Sequence, residues 1–99
     1  MQITEIKNEG GIQLSVEGKV DTITAPQLQQ AILTAFQKAK NVVLDMEQVG
    51  YMSSAGLRAL LLGTKTASSK GGSLTLIHVH DAVMQVYKVT GFSNILKIE

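Results

Sequence analysis

The run Val42-Val43-Leu44-Asp45-Met46-Glu47-Gln48-Val49-Gly50-Tyr51-Met52-Ser53-Ser54-Ala55-Gly56-Leu57 decides how this chain folds. Val42, Val43 and Leu44 are consecutive, apolar and rich in β-branching, which predicts a central strand covered on both faces. The strand is expected to end at Asp45, and a seven-residue loop follows. Two serines and a glycine then open a helix whose face is marked by Leu57, Leu60, Leu61 and Thr64. Gly71-Gly72 stops that helix, and Leu74 to Val79 reads as another strand. Strand, helix, strand in this order is the repeating unit of a parallel sheet.

Working outward, Ile3 to Lys7 alternates apolar with polar residues, and so do Ile12, Leu14 and Val16 with their neighbours. Asn8-Glu9-Gly10-Gly11 lies between the two runs as a turn, so they form a hairpin with one buried face. Thr24-Ala25-Pro26-Gln27 then looks like a helix start, with Thr24 as cap and Gln27 completing a capping box. Leu28, Ala31, Ile32, Ala35, Phe36 and Ala39 follow at helical spacing, and Lys38 and Lys40 suit the negative end of the dipole. Beyond Val79, Asp81 can cap a third helix with Val83, Val86 and Tyr87 inward and Gly91 as its stop. Ile95, Leu96 and Ile98 make a last short strand. The expected fold is α/β: one small domain over residues 1–99, a mixed, mostly parallel sheet with an N-terminal hairpin and about three helices.

Composition narrows the function. At 99 residues the chain is one domain in size, and it buries roughly 65% of its unfolded surface without staples. The hydrophobic share is 44% and the charged share 17%, which is globular. There is no cysteine, so disulfides, thiolate metal sites and cysteine nucleophiles are excluded. Nine basic and eight acidic residues leave a net charge of +1, with no basic run and four aromatic residues. That speaks against direct nucleic-acid binding. No leader signature and no apolar run of about 20 residues is present, so a cytoplasmic protein off the membrane is expected.

Few residues invite chemistry. Ser53 and Ser54 sit at a helix N-terminus, where free N–H groups and the dipole favour a phosphate, but either serine also serves as an ordinary cap. Gly50 to Gly56 does not match the Gly-x-Ser-x-Gly elbow of a hydrolase, and nothing places a histidine beside Ser54. His78 and His80, two apart on a strand, would share a face, yet Asp81 as third ligand would point elsewhere, so no metal is expected. His78 is expected near the sheet and His80 beside the helix cap. Asp21 and Asp45 lie at strand ends as turn formers, and loops after parallel strands gather them at one edge with Ser54.

Gly18-Lys19-Val20-Asp21, then Val43-Leu44-Asp45, then Met52-Ser53-Ser54-Ala55-Gly56-Leu57-Arg58 resemble the signature blocks of the STAS family, nearest its anti-sigma-factor antagonists. Asp81-Ala82-Val83 and Thr90-Gly91-Phe92 resemble that family's last helix and its exit. The resemblance spans essentially the whole chain and implies a non-enzymatic switch without cofactor or metal. It implies that an ATP-bound anti-sigma-factor serine kinase binds the unphosphorylated form and phosphorylates Ser54, the serine two residues before the glycine. Phosphorylation releases the partner, and a serine phosphatase resets the switch. Ser53 is the lesser candidate acceptor. Asp21, Thr22, Asp45, Met52, Ser53, Ala55, Gly56 and Arg58 are the implied partner-binding residues, and the free protein is expected to be a monomer. Well-known members carry aspartate where this chain has Ser53. The alternative is a STAS scaffold or transport-system subunit that is never phosphorylated.

Overall fold

In the computed structural model, which describes residues 1–99, the hairpin forms as its alternation requires. Strand β1 (Gln2–Asn8) pairs antiparallel with β2 (Gly11–Glu17) in the register Ile3 to Val16, Glu5 to Leu14 and Lys7 to Ile12. Ile12, Leu14 and Val16 are buried. β1 itself is the sheet edge, and only Ile3 leans on the core while Ile6 is 47% exposed. The expected buried face of the hairpin therefore belongs to β2. Lys38 Nζ bonds the Glu5 carboxylate at 2.6 Å and closes the end of helix α1 (Ala25–Lys38) over β1.

Strand β3 (Asn41–Gln48) lies parallel to β2, β4 (Ser73–Ile77) parallel to β3, and β5 (Lys97–Ile98) parallel to β4. The order across the sheet is β1-β2-β3-β4-β5. Right-handed crossovers through a sheet whose parallel strands follow chain order put every helix on the same face. Burial agrees. One apolar cluster joins Ile12, Leu14, Val42, Leu44, Met46, Leu74 and Leu76 of the strands with residues of all three helices. These are Leu28, Ile32 and Phe36 of α1, Leu57 and Leu60 of α2 (Ser54–Ser69), and Val83 and Tyr87 of α3 (Asp81–Thr90). The other face carries Gln13, Ser15, Val43, Asp45, Thr75 and Ile77. β3 is thus covered by helices on one face, against the expectation of two, and Val43 is half-buried between Gln13 and Thr75.

Several boundaries move. β3 runs on to Gln48, so the loop before Ser53 is shorter than expected. β4 ends at Ile77, leaving His78 and Val79 outside it. Ile95 is 52% exposed, and after a 3-10 turn (Phe92–Asn94) the last strand starts only at Lys97, two residues later than expected. Thr24 makes no side-chain cap bond to α1, and Gln27 reaches the Met1 carbonyl at 3.4 Å, so the capping box is absent. At α3 the cap position is His80, with Asp81 as the first helical residue, where its charge still suits the dipole. Gly91 ends α3 in the left-handed conformation (φ 81°), as expected.

Tyr87 is fully buried, and its hydroxyl has no hydrogen-bond partner. Burial pushes its ionisation well above the ordinary phenol range. An unpaired buried hydroxyl costs about 1–3 kcal/mol. Tyr87→Phe is therefore expected to be neutral or to stabilise by about 1 kcal/mol in urea denaturation. A loss of stability would show that the hydroxyl has a partner.

Candidate functional site

The loops after β2 and β3 are locked together at the C-terminal edge of the sheet. Val20 and Met52 form an isolated parallel bridge. Val20 N–H donates to the Tyr51 carbonyl at 3.1 Å, and Ser53 N–H donates to the Val20 carbonyl at 2.8 Å. Val20 and Met52 are both buried beneath this crossing. Gly56, one turn into α2, packs onto it so closely that a Cβ there would meet Met52 Sδ and lie 2.6 Å from Val20 Cγ1. The Met-x-x-x-Gly spacing is thus a packing requirement.

Asp21 follows Val20 directly. Its Oδ1 accepts from the N–H groups of Ile23 at 3.0 Å and Thr24 at 2.9 Å, and its carbonyl accepts from Ala25 N–H at 2.8 Å. Thr24 Oγ1 in turn accepts from Asp21 N–H at 2.9 Å and donates to the Lys19 carbonyl at 2.7 Å. Asp21 is the turn former expected of it: its carboxylate closes the Thr22–Thr24 turn that leads into α1, and no side chain caps the helix itself. The Thr24 backbone N–H, ahead of its hydroxyl, holds the Asp21 carboxyl below its usual pKa.

The two serines divide the labour. Ser53 is the N-cap of α2, extended at φ −91° and ψ 173°, and its hydroxyl accepts from Gly56 N–H at 3.4 Å. Ser54 is the first helical residue, exposed, and its hydroxyl bonds nothing else in the protein. No acidic residue lies in the first turn of α2. Beside it is a cleft of about 450 Å³ between the starts of α1 and α2, lined by Thr22, Ala25, Pro26, Gln29, Gln30, Ala55 and Arg58. Arg58 lies four residues after Ser54 on the same helix face.

The residues singled out in the sequence do not all reach one surface. Asp21, Thr22, Ser53, Ser54, Ala55 and Arg58 gather around the two helix starts. Met52 and Gly56 are buried and shape the floor of the site without facing a partner. Asp45 shares the edge but sits on the helix-free face, bonded to His78 Nδ1 at 3.0 Å and to Glu47 N–H at 3.1 Å. His78 and His80 do not share a strand face. His78 turns back at φ 56° toward Asp45 and Glu47, while a ring nitrogen of His80 meets the Glu47 carbonyl. The hydrogen bond to Asp45, then the charges of Asp45 and Glu47, raise the His78 pKa. Beside the site, Ile23 (87% exposed) and Tyr51 (51% exposed) present apolar side chains to solvent that the sequence pattern does not mark. Both flank the Val20–Met52 bridge, and neither belongs to a periodic pattern.

A family model described as "Mlab, STAS domain" matches residues 4–97. An anti-sigma-B factor antagonist of Listeria monocytogenes is 31% identical over 90 residues, covering 89% of this chain and 78% of its own. An anti-sigma factor antagonist from Mycobacterium paratuberculosis superposes with a TM-score of 0.85 at 23% identity, over 98% of this chain and 83% of that one. The Bacillus cell fate determinant SpoIIAA in its phosphorylated form superposes with a TM-score of 0.74 at 18% identity, over 99% and 91%.

Two outcomes follow from the capping geometry. Ser53→Ala should cost about 0.5–1 kcal/mol of stability, the low end for an N-cap because its bond is long. Ser54→Ala should stay within about 0.5 kcal/mol of wild type. The reverse ranking in chemical denaturation would make Ser54 the cap. For Asp21, a lowered native pKa means that its stabilisation is complete above the unfolded carboxylate pKa. It is lost as pH falls through the lowered native value. Asp21→Asn keeps an acceptor oxygen and removes the titration, so its urea midpoint should fall less steeply than that of wild type between neutral and acid pH.

Proposed function

The chain belongs to the STAS domain family, and from that membership we propose that it is an anti-sigma-factor antagonist switched at Ser54. In its unphosphorylated form it binds an ATP-bound anti-sigma-factor serine kinase through the edge formed by the starts of α1 and α2. That kinase transfers phosphate to Ser54, the complex dissociates, and a serine phosphatase restores the binding form. The protein acts in the cytoplasm as a monomer when free, and it catalyses nothing itself. No helix is long and apolar enough to cross a membrane.

The supporting observation is the division between the serines: Ser53 spends its oxygen on the helix cap, and Ser54 presents an uncommitted, exposed hydroxyl one position later. A kinase needs such a hydroxyl. It also needs a backbone that stays put, which the Val20–Met52 bridge supplies. Ile23 and Tyr51 offer apolar contact on either side, and Thr22, Ala55 and Arg58 offer the cleft between the helices. SpoIIAA, which shares this fold, has been seen in a phosphorylated form.

The switch works by exclusion. A phosphate brings about −1.5 to −2 charges and three strong acceptors. On the first residue of α2 it meets free N–H groups and the positive end of the dipole, so the domain itself tolerates the charge. A partner packed against Ser54 does not. An interface loss of about 3–4 kcal/mol weakens binding some hundreds-fold.

The test is incubation with the cognate kinase, ATP and Mg²⁺, followed by peptide mass spectrometry and kinase pull-down. Wild type and Ser53→Ala should gain one phosphate on Ser54 and lose kinase affinity, and Ser54→Ala should gain none while keeping affinity. Phosphate that persists in Ser54→Ala, or equal affinity before and after modification, overturns the reading. Absence of any phosphate favours the unphosphorylated scaffold.

A further inference from the structure

A second cluster stands on the same sheet edge and is not used by the serine switch. Asp45 and Glu47 lie on either side of Met46 near the end of β3, where the pairing with β2 shifts register, and both carboxylates approach His78. β4 pairs Ile77 with Asp45, and the chain then turns sharply at His78, the one non-glycine residue with positive φ. That turn points the imidazole back over β3. Nδ1 lies 3.0 Å from Asp45 Oδ1 and 3.9 Å from Glu47 Oε2. One donor atom from each of the three residues lies within 4.8 Å of the other two. Both carboxylates have His78 as their only ion-pair partner, with no lysine or arginine against either.

We propose that Asp45, Glu47 and His78 form a binding site for a divalent transition cation, with Zn²⁺ as the ion the donors suit best. Zinc bonds to nitrogen and carboxylate oxygen at about 2.0–2.2 Å, which places donors roughly 3–3.6 Å apart in a tetrahedral site. The observed spacings need only small rotations to reach that, with Glu47 and His78 exposed and free to move toward the more buried Asp45. One imidazole with two carboxylates is a borderline donor set. Mg²⁺ and Ca²⁺ favour oxygen alone, and Cu(I) favours thiolate or thioether. Two carboxylates balance the ion's charge, and three protein ligands leave a position for water.

A bound ion ties the end of β3 to the turn before α3, two segments joined otherwise only by side-chain hydrogen bonds to the two histidines. It binds the folded chain and not the unfolded one, so it raises the melting temperature. The inference does not depend on phosphorylation, and its test needs no kinase.

The probe is zinc sulfate alone, titrated calorimetrically into the full chain at pH 7.5, with thermal melts run in parallel. One Zn²⁺ per chain and a raised melting temperature are expected, with no effect from magnesium chloride. His78→Gln, Asp45→Asn and Glu47→Gln should each weaken binding about tenfold or more. Circular dichroism verifies the fold of each variant, and if His78→Gln does not fold the two carboxylate variants decide. The inference is overturned if wild type shows neither heat nor melting shift. It is equally overturned if the folded variants bind as wild type does, or if binding is lost only on His80→Gln.

Discussion

Two backbone hydrogen bonds, Val20 N–H to Tyr51 and Ser53 N–H to Val20, set everything at the C-terminal edge of this sheet. They continue the pairing of β2 with β3 beyond Glu17 and Gln48, the last pair of the ladder after its register shift. Gly18 N–H to the Gln48 carbonyl leads into them. Because Ser53 is both the last bonded residue of that crossing and the cap of α2, the bridge fixes where the helix starts. It fixes Asp21 as well, since Val20 is its neighbour in the chain. Moving the crossing by one residue would put Ser54 in the cap and turn its hydroxyl inward. Gly56 guards the register, because any side chain there strikes both bridged residues.

The singly covered sheet gives this edge its character. With α1, α2 and α3 on one face, two helix N-termini open side by side above the strand ends. Their dipoles add at the cleft that Arg58 and Thr22 line, so the region attracts negative charge without a dedicated basic patch. The helix-free face has the opposite tendency at the same edge, with Asp45 and Glu47 answered by a histidine. One rim therefore presents an anion-tolerant side and a cation-tolerant side, divided by β3.

Much of this was legible in the sequence. Alternation in Ile12-Leu14-Val16 and helical spacing from Leu28 to Phe36 report burial against one surface, and burial dominates the free energy. What failed to show was decided by competition among polar groups of similar strength. Thr24 holds the cap position of α1 without capping it, because Asp21, set beside the bridge at Val20, draws the chain into a turn with its carboxylate under the Ile23 and Thr24 N–H groups. Thr24 was then taken by the Lys19 carbonyl. His78 looked like a strand residue because Leu74 to Val79 is nearly all apolar. Its left-handed backbone comes from a contact with Asp45, 33 residues earlier. Val43 looked doubly covered because an apolar triplet does not report which face the crossovers leave open.

Ser53 gives the start of α2 the same cap that an aspartate at this position would give. At an N-cap, aspartate and serine accept the same N–H and differ little in capping strength. Serine therefore serves the start of α2 as aspartate would, with one negative charge fewer beside the proposed acceptor Ser54. Two like charges about 4 Å apart repel by about 1 kcal/mol in water and about 4 kcal/mol at an effective dielectric of 20. An aspartate at position 53 would repel a phosphate at Ser54 more strongly than it would a unit charge, because the phosphate carries about −1.5 to −2 charges. With Ser53 the helix terminus answers the phosphate alone. Under the proposed switch, the phosphorylated state would then cost the domain less, and discrimination between the two forms would rest more fully on the partner's surface.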